Sequence, residues 1–133
     1  MGYGPDNSKE LIANQIGWVR VPCGHRAEFH FASEAHYENA ICIYPQHSDH
    51  KLAERGNYNR SLNDFSTPEN NSNQDVWYRV TGWHKNSPPH GSYPWVVSSI
   101  KNDSPASNLY EFGFEDAGGE DYDDMKCTVN IVQ

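Results

Sequence analysis

Apolar residues recur at every second position through much of this chain, and this period of two restricts the fold more than any other feature of the sequence. The alternation is clearest in residues 17–22 and 26–32, and a short apolar run at 39–45 ends at a proline. Successive side chains of a β-strand point to opposite faces, so each segment suits a strand with one buried face. We interpret the three segments as consecutive antiparallel strands.

The second half of the chain shows the same pattern. Residues 75–83 are rich in β-branched and aromatic side chains, and a turn with two prolines and a glycine separates them from residues 93–100. This arrangement predicts a hairpin with an extended loop. Residues 109–114 and 126–132 alternate again and predict a final hairpin. Only residues 8–15 could form a helix.

Residues 46–73 interrupt the pattern with many Asn, Ser and His side chains, and we predict one long surface excursion there. A length of 133 residues fits one compact domain, which typically has roughly 100–150 residues. Short strands joined by turns, with at most one helix, indicate an all-β protein. We therefore predict an antiparallel β-sandwich that forms a single domain over residues 1–133.

The charge balance argues against two classes of partner. The chain has 18 acidic and 10 basic residues and a formal charge of −8, which would repel the phosphate backbone of a nucleic acid. No stretch approaches the roughly 20 apolar residues of a membrane-spanning helix. Residues 1–6 have neither the basic nor the apolar region of a signal peptide, so we expect a cytosolic product or the earlier removal of a leader.

Three cysteines, Cys23, Cys42 and Cys127, form an odd set without a CxxC pair, which does not resemble a zinc site. All three lie in strand-like surroundings, where a free cysteine usually behaves as a small buried hydrophobe. The alternative is a single disulfide that joins Cys23 to either of the other two.

The densest chemical feature is the acidic segment 115–124, between the two arms of the final hairpin. Six of its ten residues carry carboxylates, and no Lys or Arg occurs between Leu109 and Met125. Carboxylates this close repel one another unless a cation lies among them. Ca²⁺ accepts about six to eight oxygen ligands in flexible geometry, and a loop with glycines can add backbone carbonyls. The segment therefore predicts a calcium-binding loop.

The predicted site is a strand-loop-strand site. It lacks the regular acidic spacing of an EF-hand and the helices that flank one. The alternative is an acidic turn that is only solvated, a role that Asp116 and Glu120 could have in either case.

The order of residues in this segment, Glu-Asp-Ala-Gly-Gly-Glu-Asp-Tyr-Asp-Asp before an alternating strand, resembles the closing loop of the soluble bacterial lectins that bind fucose and mannose through calcium. In that family a Glu-Asp-Gly opening leads to an Asp-x-Asp-Tyr-Asn-Asp cluster. Tyr122 matches the family's tyrosine, and an aspartate stands at the family's usual asparagine. The resemblance implies four cation ligands, Glu115, Asp121, Asp123 and Asp124, with a backbone carbonyl near Gly119.

A second part of the resemblance lies near the N-terminus. The order Val21-Pro22, then Arg26, then Phe-Ala-Ser at 31–33 is similar to the first strands of those lectins, so Ser33 or Glu34 would take the place of another cation ligand. Two positions differ from the family pattern: Gly119 stands where the lectins carry a further Asp, and the chain ends in Gln133 instead of glycine. The resemblance therefore implies at least one calcium, and these differences leave open whether a second is bound.

The function that these features favour is calcium-dependent carbohydrate binding. Sugar hydroxyls can replace waters on a partly open calcium, while an aromatic side chain packs on the sugar ring. We expect Trp83 to be the exposed aromatic, and Trp77 and Trp95 to lie in the core. The expected sugar-binding residues are Gly119, Asp123, Asp124, Ser33 and Trp83. A lectin would also be expected to form a homo-oligomer, since linked sites raise weak affinities, and a calcium site favours action outside the cell or at its surface.

Two other functions are weighed against this one. Calcium could serve only to stabilise the final hairpin in a structural or adhesive module, because a ligand of the native state stabilises the fold. An enzyme is the least favoured, since the adjacent residues His47, Ser48, Asp49 and His50 cannot by themselves assemble a nucleophile, a base and its orienting carboxylate. We expect these histidines to be solvated loop side chains and the protein not to be an enzyme.

Overall fold

The computed structural model of the chain describes residues 3–6, 11, 15–34, 38–57, 60–85, 94–115 and 125–133. Among them no α-helix occurs, and so none is long and apolar enough to cross a membrane. The helix predicted for residues 8–15 lies mostly outside this part of the chain. The strands are β1 (Gly17–Val21), β2 (Arg26–Ser33), β3 (Asn39–Pro45), β4 (Ala53–Gly56), β5 (Phe65–Ser66), β6 (Val76–His84), β7 (Val96–Val97), β8 (Ser99–Asn102), β9 (Leu109–Glu115) and β10 (Met125–Val132).

The strands form two five-stranded sheets. The first sheet has the order β1-β6-β3-β4, with β7 also paired to β6, and the second has the order β5-β2-β10-β9-β8. Every pairing is antiparallel. Apolar residues of both sheets pack into one cluster between them, including Val19, Ile41 and Val80 from the first sheet and Phe29, Phe112 and Val129 from the second. The predicted all-β antiparallel sandwich is confirmed.

The alternation of the sequence appears directly in the burial of the strands. In β10, the buried residues are Met125, Cys127, Val129 and Ile131, and each residue between them is more exposed. Since a strand directs alternate side chains to opposite faces, this pattern sets which face of β10 points inward. A shift by one residue would expose the whole apolar set, so the pattern also specifies the register.

The first three strands are correctly predicted as strands, but they do not pair with one another as expected. β1 pairs with β6, with Gly17 opposite Val80, whereas β2 lies in the second sheet beside β10. β3 returns to the first sheet and pairs with β6 and β4. Alternation identifies a buried face, but it does not say which strand lies alongside.

The segment 46–73 was predicted as one surface excursion, and this prediction is wrong. It contains β4, which pairs with β3, and β5, which places Phe65 opposite Phe29 of β2. Ala53 is buried, and Phe65 packs against the core cluster. These strands have only four and two residues, too short for a period of two to show in the sequence.

The two predicted hairpins are present, with one change. β6 and β7 pair through Trp83 opposite Val97 and His84 opposite Val96. The chain then crosses to the second sheet, so the predicted arm 93–100 is divided between β7 and β8. The final hairpin of β9 and β10 is confirmed, with Thr128 opposite Glu111.

A second apolar layer covers the outer face of the first sheet. Tyr44, Cys42 and Ala40 of β3 point away from the central core and pack with Trp83 and Trp95. The N-terminal segment completes this layer through Tyr3, whose ring meets that of Tyr44 edge to face at 5.0 Å between centroids. Because both faces are covered, every residue from Asn39 to Tyr44 is buried.

Two glycines of the first sheet make room for two phenylalanines of the second. A Cβ added at Gly82 of β6 would lie 2.1 Å from Cδ1 of Phe114, and one added at Gly17 of β1 would lie 2.7 Å from Cε1 of Phe112. The rings of Phe112 and Phe114 therefore pack directly on the backbone of the opposite sheet. This contact brings β9, and the hairpin that it opens, against the first sheet.

We predict that Gly82→Ala lowers the free energy of unfolding by about 1–3 kcal/mol, because the added methyl group overpacks the Phe114 site. Chemical denaturation measures the change. Phe114→Leu supplies the matched variant, since a smaller side chain leaves space for the methyl group. The double variant should lose less stability than the sum of the losses measured for the two single variants, by at least about 0.5 kcal/mol. Strictly additive costs would contradict the contact.

The three cysteines are free, and no disulfide joins them. Cys42 and Cys127 are buried as expected, but Cys23 is exposed in the turn after β1. Burial, together with the nearby Glu54 carboxylate, raises the pKa of Cys42 to about 12, and burial also raises the pKa of Cys127. Both buried thiols are therefore held in the unreactive protonated form.

Native protein should expose a single thiol to an aromatic disulfide reagent, and denatured protein should expose three. The reason is that Cys23 is the only one of the three cysteines that is exposed to solvent, whereas Cys42 and Cys127 are buried. Absorbance of the released thiolate gives both counts, and Cys23→Ser should remove the native signal. One reactive thiol in both states would instead indicate a disulfide.

Candidate functional site

The acidic loop connects the two strands of the final hairpin at one end of the second sheet. β9 ends at Glu115 and β10 begins at Met125. Residues 116–124, and with them the predicted site residues Gly119, Asp121, Asp123 and Asp124, lie outside the described residues. Glu115 is the predicted metal ligand whose position is described, and its side chain is only 7% exposed. A nearly buried carboxylate therefore stands where the loop begins.

Ser33 lies at the same end of the sheet. It is the last residue of β2 and stands opposite Met125, which in turn stands opposite Phe114 of β9. Neighbouring strands are roughly 4.8 Å apart, so Ser33 and Phe114 flank β10 at a separation of roughly 10 Å. The register thus brings two predicted site residues, Glu115 and Ser33, to the end of the sheet at which β9 ends and β10 begins.

The two side chains leave the sheet on different faces. Ser33 has the same parity as Phe29 and Phe31 and points toward the first sheet, whereas Glu115 alternates with the buried Phe114 and points outward. A ligand that contacts both residues must therefore lie beyond the ends of β2 and β9.

Trp83 was expected to be an exposed aromatic platform for sugar, and this prediction is wrong. Its side chain is fully buried on the outer face of the first sheet, and its indole N–H donates to Thr81 Oγ1 at 2.7 Å. The backbone of Gly4 packs closely over the ring. The sequence did not reveal this burial, because the covering layer comes from distant segments of the chain. Trp95 is buried as expected.

The exposed aromatic is Trp18 of β1, which sequence reasoning did not single out. Its side chain is 36% exposed and meets that of Trp77 on β6 edge to face, with centroids 6.4 Å apart. Trp77, expected in the core, is only partly buried. The sequence contained a signal for this exposure. Trp18 alternates with Val19, which is buried, and therefore shares the opposite face of the strand with the charged Arg20.

A separate cleft of about 360 Å³ lies on the outer face of the first sheet, where the β3–β4 connection passes over β6. The cleft contains residues 47–50, the motif considered above under the enzyme alternative. His47 and His50 are exposed there, as expected of loop side chains. Within the described ranges, no three His, Cys, Asp or Glu side chains converge to hold a metal ion. The lining residues are Tyr3, Gln46, His47, Ser48, Asp49, His50 and Arg79.

Several solved structures share this architecture, and three of them are bacterial lectins. The C-terminal domain of the lectin BC2L-C from Burkholderia cenocepacia aligns with a TM-score of 0.58 at 19% identity, over 86% of this chain and 93% of that one. The Chromobacterium violaceum lectin CV2L, solved with alpha-methyl-fucoside, gives 0.56 at 15% identity, over 86% and 94%. The high-affinity mannose-binding lectin of Ralstonia solanacearum gives 0.55 at 15% identity, over the same shares. This chain has their fold.

The similarity lies in the fold and hardly in the sequence. Neither a scan against protein-family models nor a sequence search of curated proteins finds a match. The lectin fold nevertheless extends over most of the chain, and therefore well beyond the acidic segment and the N-terminal strands that carried the sequence resemblance.

Proposed function

We propose that this protein is a calcium-dependent lectin whose sugar site lies at the edge of the second sheet. The single observation that carries the proposal is the coincidence of two independent features. The chain has the fold of bacterial lectins over 86% of its length, and its acidic segment connects the two strands of the hairpin formed by β9 and β10.

The chemistry of the donors supports calcium as the cation. Glu115 supplies a nearly buried carboxylate at the end of β9, directly before the other acidic residues of the segment. In our proposal Glu115, Asp121, Asp123 and Asp124 hold the ion. Hard carboxylate oxygens are the ligands that calcium prefers. A bound calcium with open coordination positions would accept vicinal hydroxyls of a sugar.

The chain's own residues would select and orient the sugar. Asp123 and Asp124 are proposed to lie nearest the bound hydroxyls and to accept hydrogen bonds from them, and Gly119 would let the sugar approach the backbone. Ser33 supports this arrangement, because its register with Met125 brings its hydroxyl to the strand end beside the loop. Trp83 has no part in the site, since it is buried.

The proposed ligand class is a neutral sugar with adjacent hydroxyls, such as fucose or mannose. Two structures with this fold point to those sugars: one was solved with alpha-methyl-fucoside, and another is a mannose-binding lectin. A single open site of this kind binds weakly, so we also propose that the protein acts as a homo-oligomer that presents several sites.

Asp121→Ala should abolish both calcium binding and binding to fucose- and mannose-containing glycans, because it removes one of the four proposed carboxylate ligands of the ion. Calorimetry with calcium and a glycan array with and without chelator measure the two effects. Asp103→Ala is the matched control, since Asp103 is an exposed carboxylate of the β8–β9 turn that pairs only with Lys101. The control should bind like the unchanged protein.

Three outcomes separate the alternatives. Glycan binding that is lost in chelator while the circular dichroism spectrum stays unchanged supports the lectin. Unfolding in chelator, with no glycan bound at any calcium concentration, would instead indicate that calcium serves a structural module. Full calcium affinity in Asp121→Ala would contradict the assignment of the loop.

A further inference from the structure

Arg79 is a buried cation on the outer face of the first sheet. Only 7% of the residue is exposed, although it lines the cleft beneath the β3–β4 connection. Its guanidinium donates to the carbonyls of Pro45, at 3.1 Å, and Ser48, and to the hydroxyl of Tyr3. The ring faces of Tyr3 and Tyr44 lie 4.8 and 5.8 Å from its central carbon. Every one of these partners is neutral.

The charge of Arg79 therefore has no anionic partner among the described residues. No carboxylate there lies within 4.0 Å of the guanidinium, in contrast to Arg60, which pairs with Glu38 and Glu54. Buried arginines are normally paired with an anion, because leaving such a charge alone in a low-dielectric setting is costly. Carbonyls and aromatic faces offset part of this cost, but they add no negative charge.

The hydrogen-bond count leaves room for a ligand. A guanidinium has about five N–H donors, two of them on each terminal nitrogen. One donor of each terminal nitrogen is used, for Tyr3 and for Ser48, and the described residues offer no acceptor for the other. A carboxylate or sulfate group can accept from two such donors at once, which is the strongest and most specific contact that arginine makes.

The surroundings of Arg79 suit a small anionic group that is attached to a larger polar body. His47, His50 and Gln46 add further donors to the cleft, and Asp49 is the acidic residue that lines it. A second groove of about 540 Å³ shares Gln46, His47 and Ser48 with the cleft and continues along the partly buried Trp77. An aromatic side chain beside hydrogen-bonding groups is suited to the face of a sugar ring.

We propose that the Arg79 cleft is a second binding site, which takes the carboxylate or sulfate group of an acidic saccharide. The assignment of the anionic group rests on Arg79 and is independent of the acidic loop, whereas the saccharide as its carrier rests on the proposed function. The site lies in the first sheet, while the proposed calcium site lies at the edge of the second. Binding at the Arg79 cleft therefore needs no calcium.

The experiment uses methyl glucuronide as the anionic sugar, methyl glucoside as its neutral counterpart, and sulfate as an anion without a sugar. Each is titrated into the ¹⁵N-labelled chain, with calcium and again with chelator, and the Nε–H resonance of Arg79 is followed. We expect methyl glucuronide to shift this resonance in both conditions, methyl glucoside to leave it unchanged, and sulfate to bind more weakly than the glucuronide.

Two positions that line the cleft, the exposed His50 and the half-buried Asp49, test the charge requirement without changing the buried arginine. His50→Glu adds a negative charge to the cleft and should weaken binding of the glucuronide about tenfold, whereas Asp49→Asn removes one and should strengthen it by a similar factor. Ser107→Glu adds the same charge in the exposed β8–β9 turn and should change nothing. Thermal unfolding verifies that all three variants are folded.

The results separate this proposal from the calcium site. If neither anion shifts the Arg79 resonance, or if His50→Glu and Asp49→Asn leave the affinity unchanged, the anion site is wrong whatever the loop does. Equal affinities for sulfate and methyl glucuronide would overturn the saccharide as carrier. Glucuronide binding that persists in chelator supports the site even if fucose and mannose fail to bind.

Discussion

The packing of Phe112 and Phe114 on the glycines of the opposite sheet is the contact on which the rest of the structure depends. Both rings leave β9 toward the first sheet and occupy space that any side chain at Gly17 or Gly82 would fill. This contact fixes the position of β9 relative to β6 in the opposite sheet. The pairing of β9 with β10 then sets where the hairpin ends. The ends of β9 and β10, between which the acidic segment runs, are therefore positioned by this contact.

The charged groups of the molecule are arranged in two different ways. Along β4, Glu54 is satisfied within the protein: burial alone would raise its pKa, but hydrogen bonds from Lys51 and Arg60 outweigh burial and lower it. Arg79 is also nearly buried, but its described hydrogen-bond partners are neutral and it lines an open cleft. The first arrangement stabilises the fold, and the second supplies the charge of the proposed anion site.

Most strands could be predicted from the sequence because they have one buried and one exposed face. That signal is strong in β10, where Met125, Cys127, Val129 and Ile131 alternate with more exposed residues. It fails for β4 and β5, which are too short to show a period, and it cannot tell that β1 pairs with β6. Partner choice depends on contacts between residues far apart in the chain.

The candidate site was predictable to a smaller extent. Carboxylate density and glycines identified the acidic loop, and the register confirms that the loop joins paired strands and that Ser33 lies at their end. The burial of Trp83 could not be predicted, because it follows from a layer formed by the N-terminal segment and Trp95. The neutral surroundings of Arg79 among the described residues were equally hidden, since a sequence does not show which carboxylates are out of reach.

The most direct test of the account is a crystal structure grown with calcium and methyl fucoside. The account predicts a calcium ion held at about 2.3–2.6 Å by oxygens of Glu115, Asp121, Asp123 and Asp124, with two sugar hydroxyls completing its coordination. An acidic segment that points into solvent without a cation, in crystals where calcium is abundant, would contradict it.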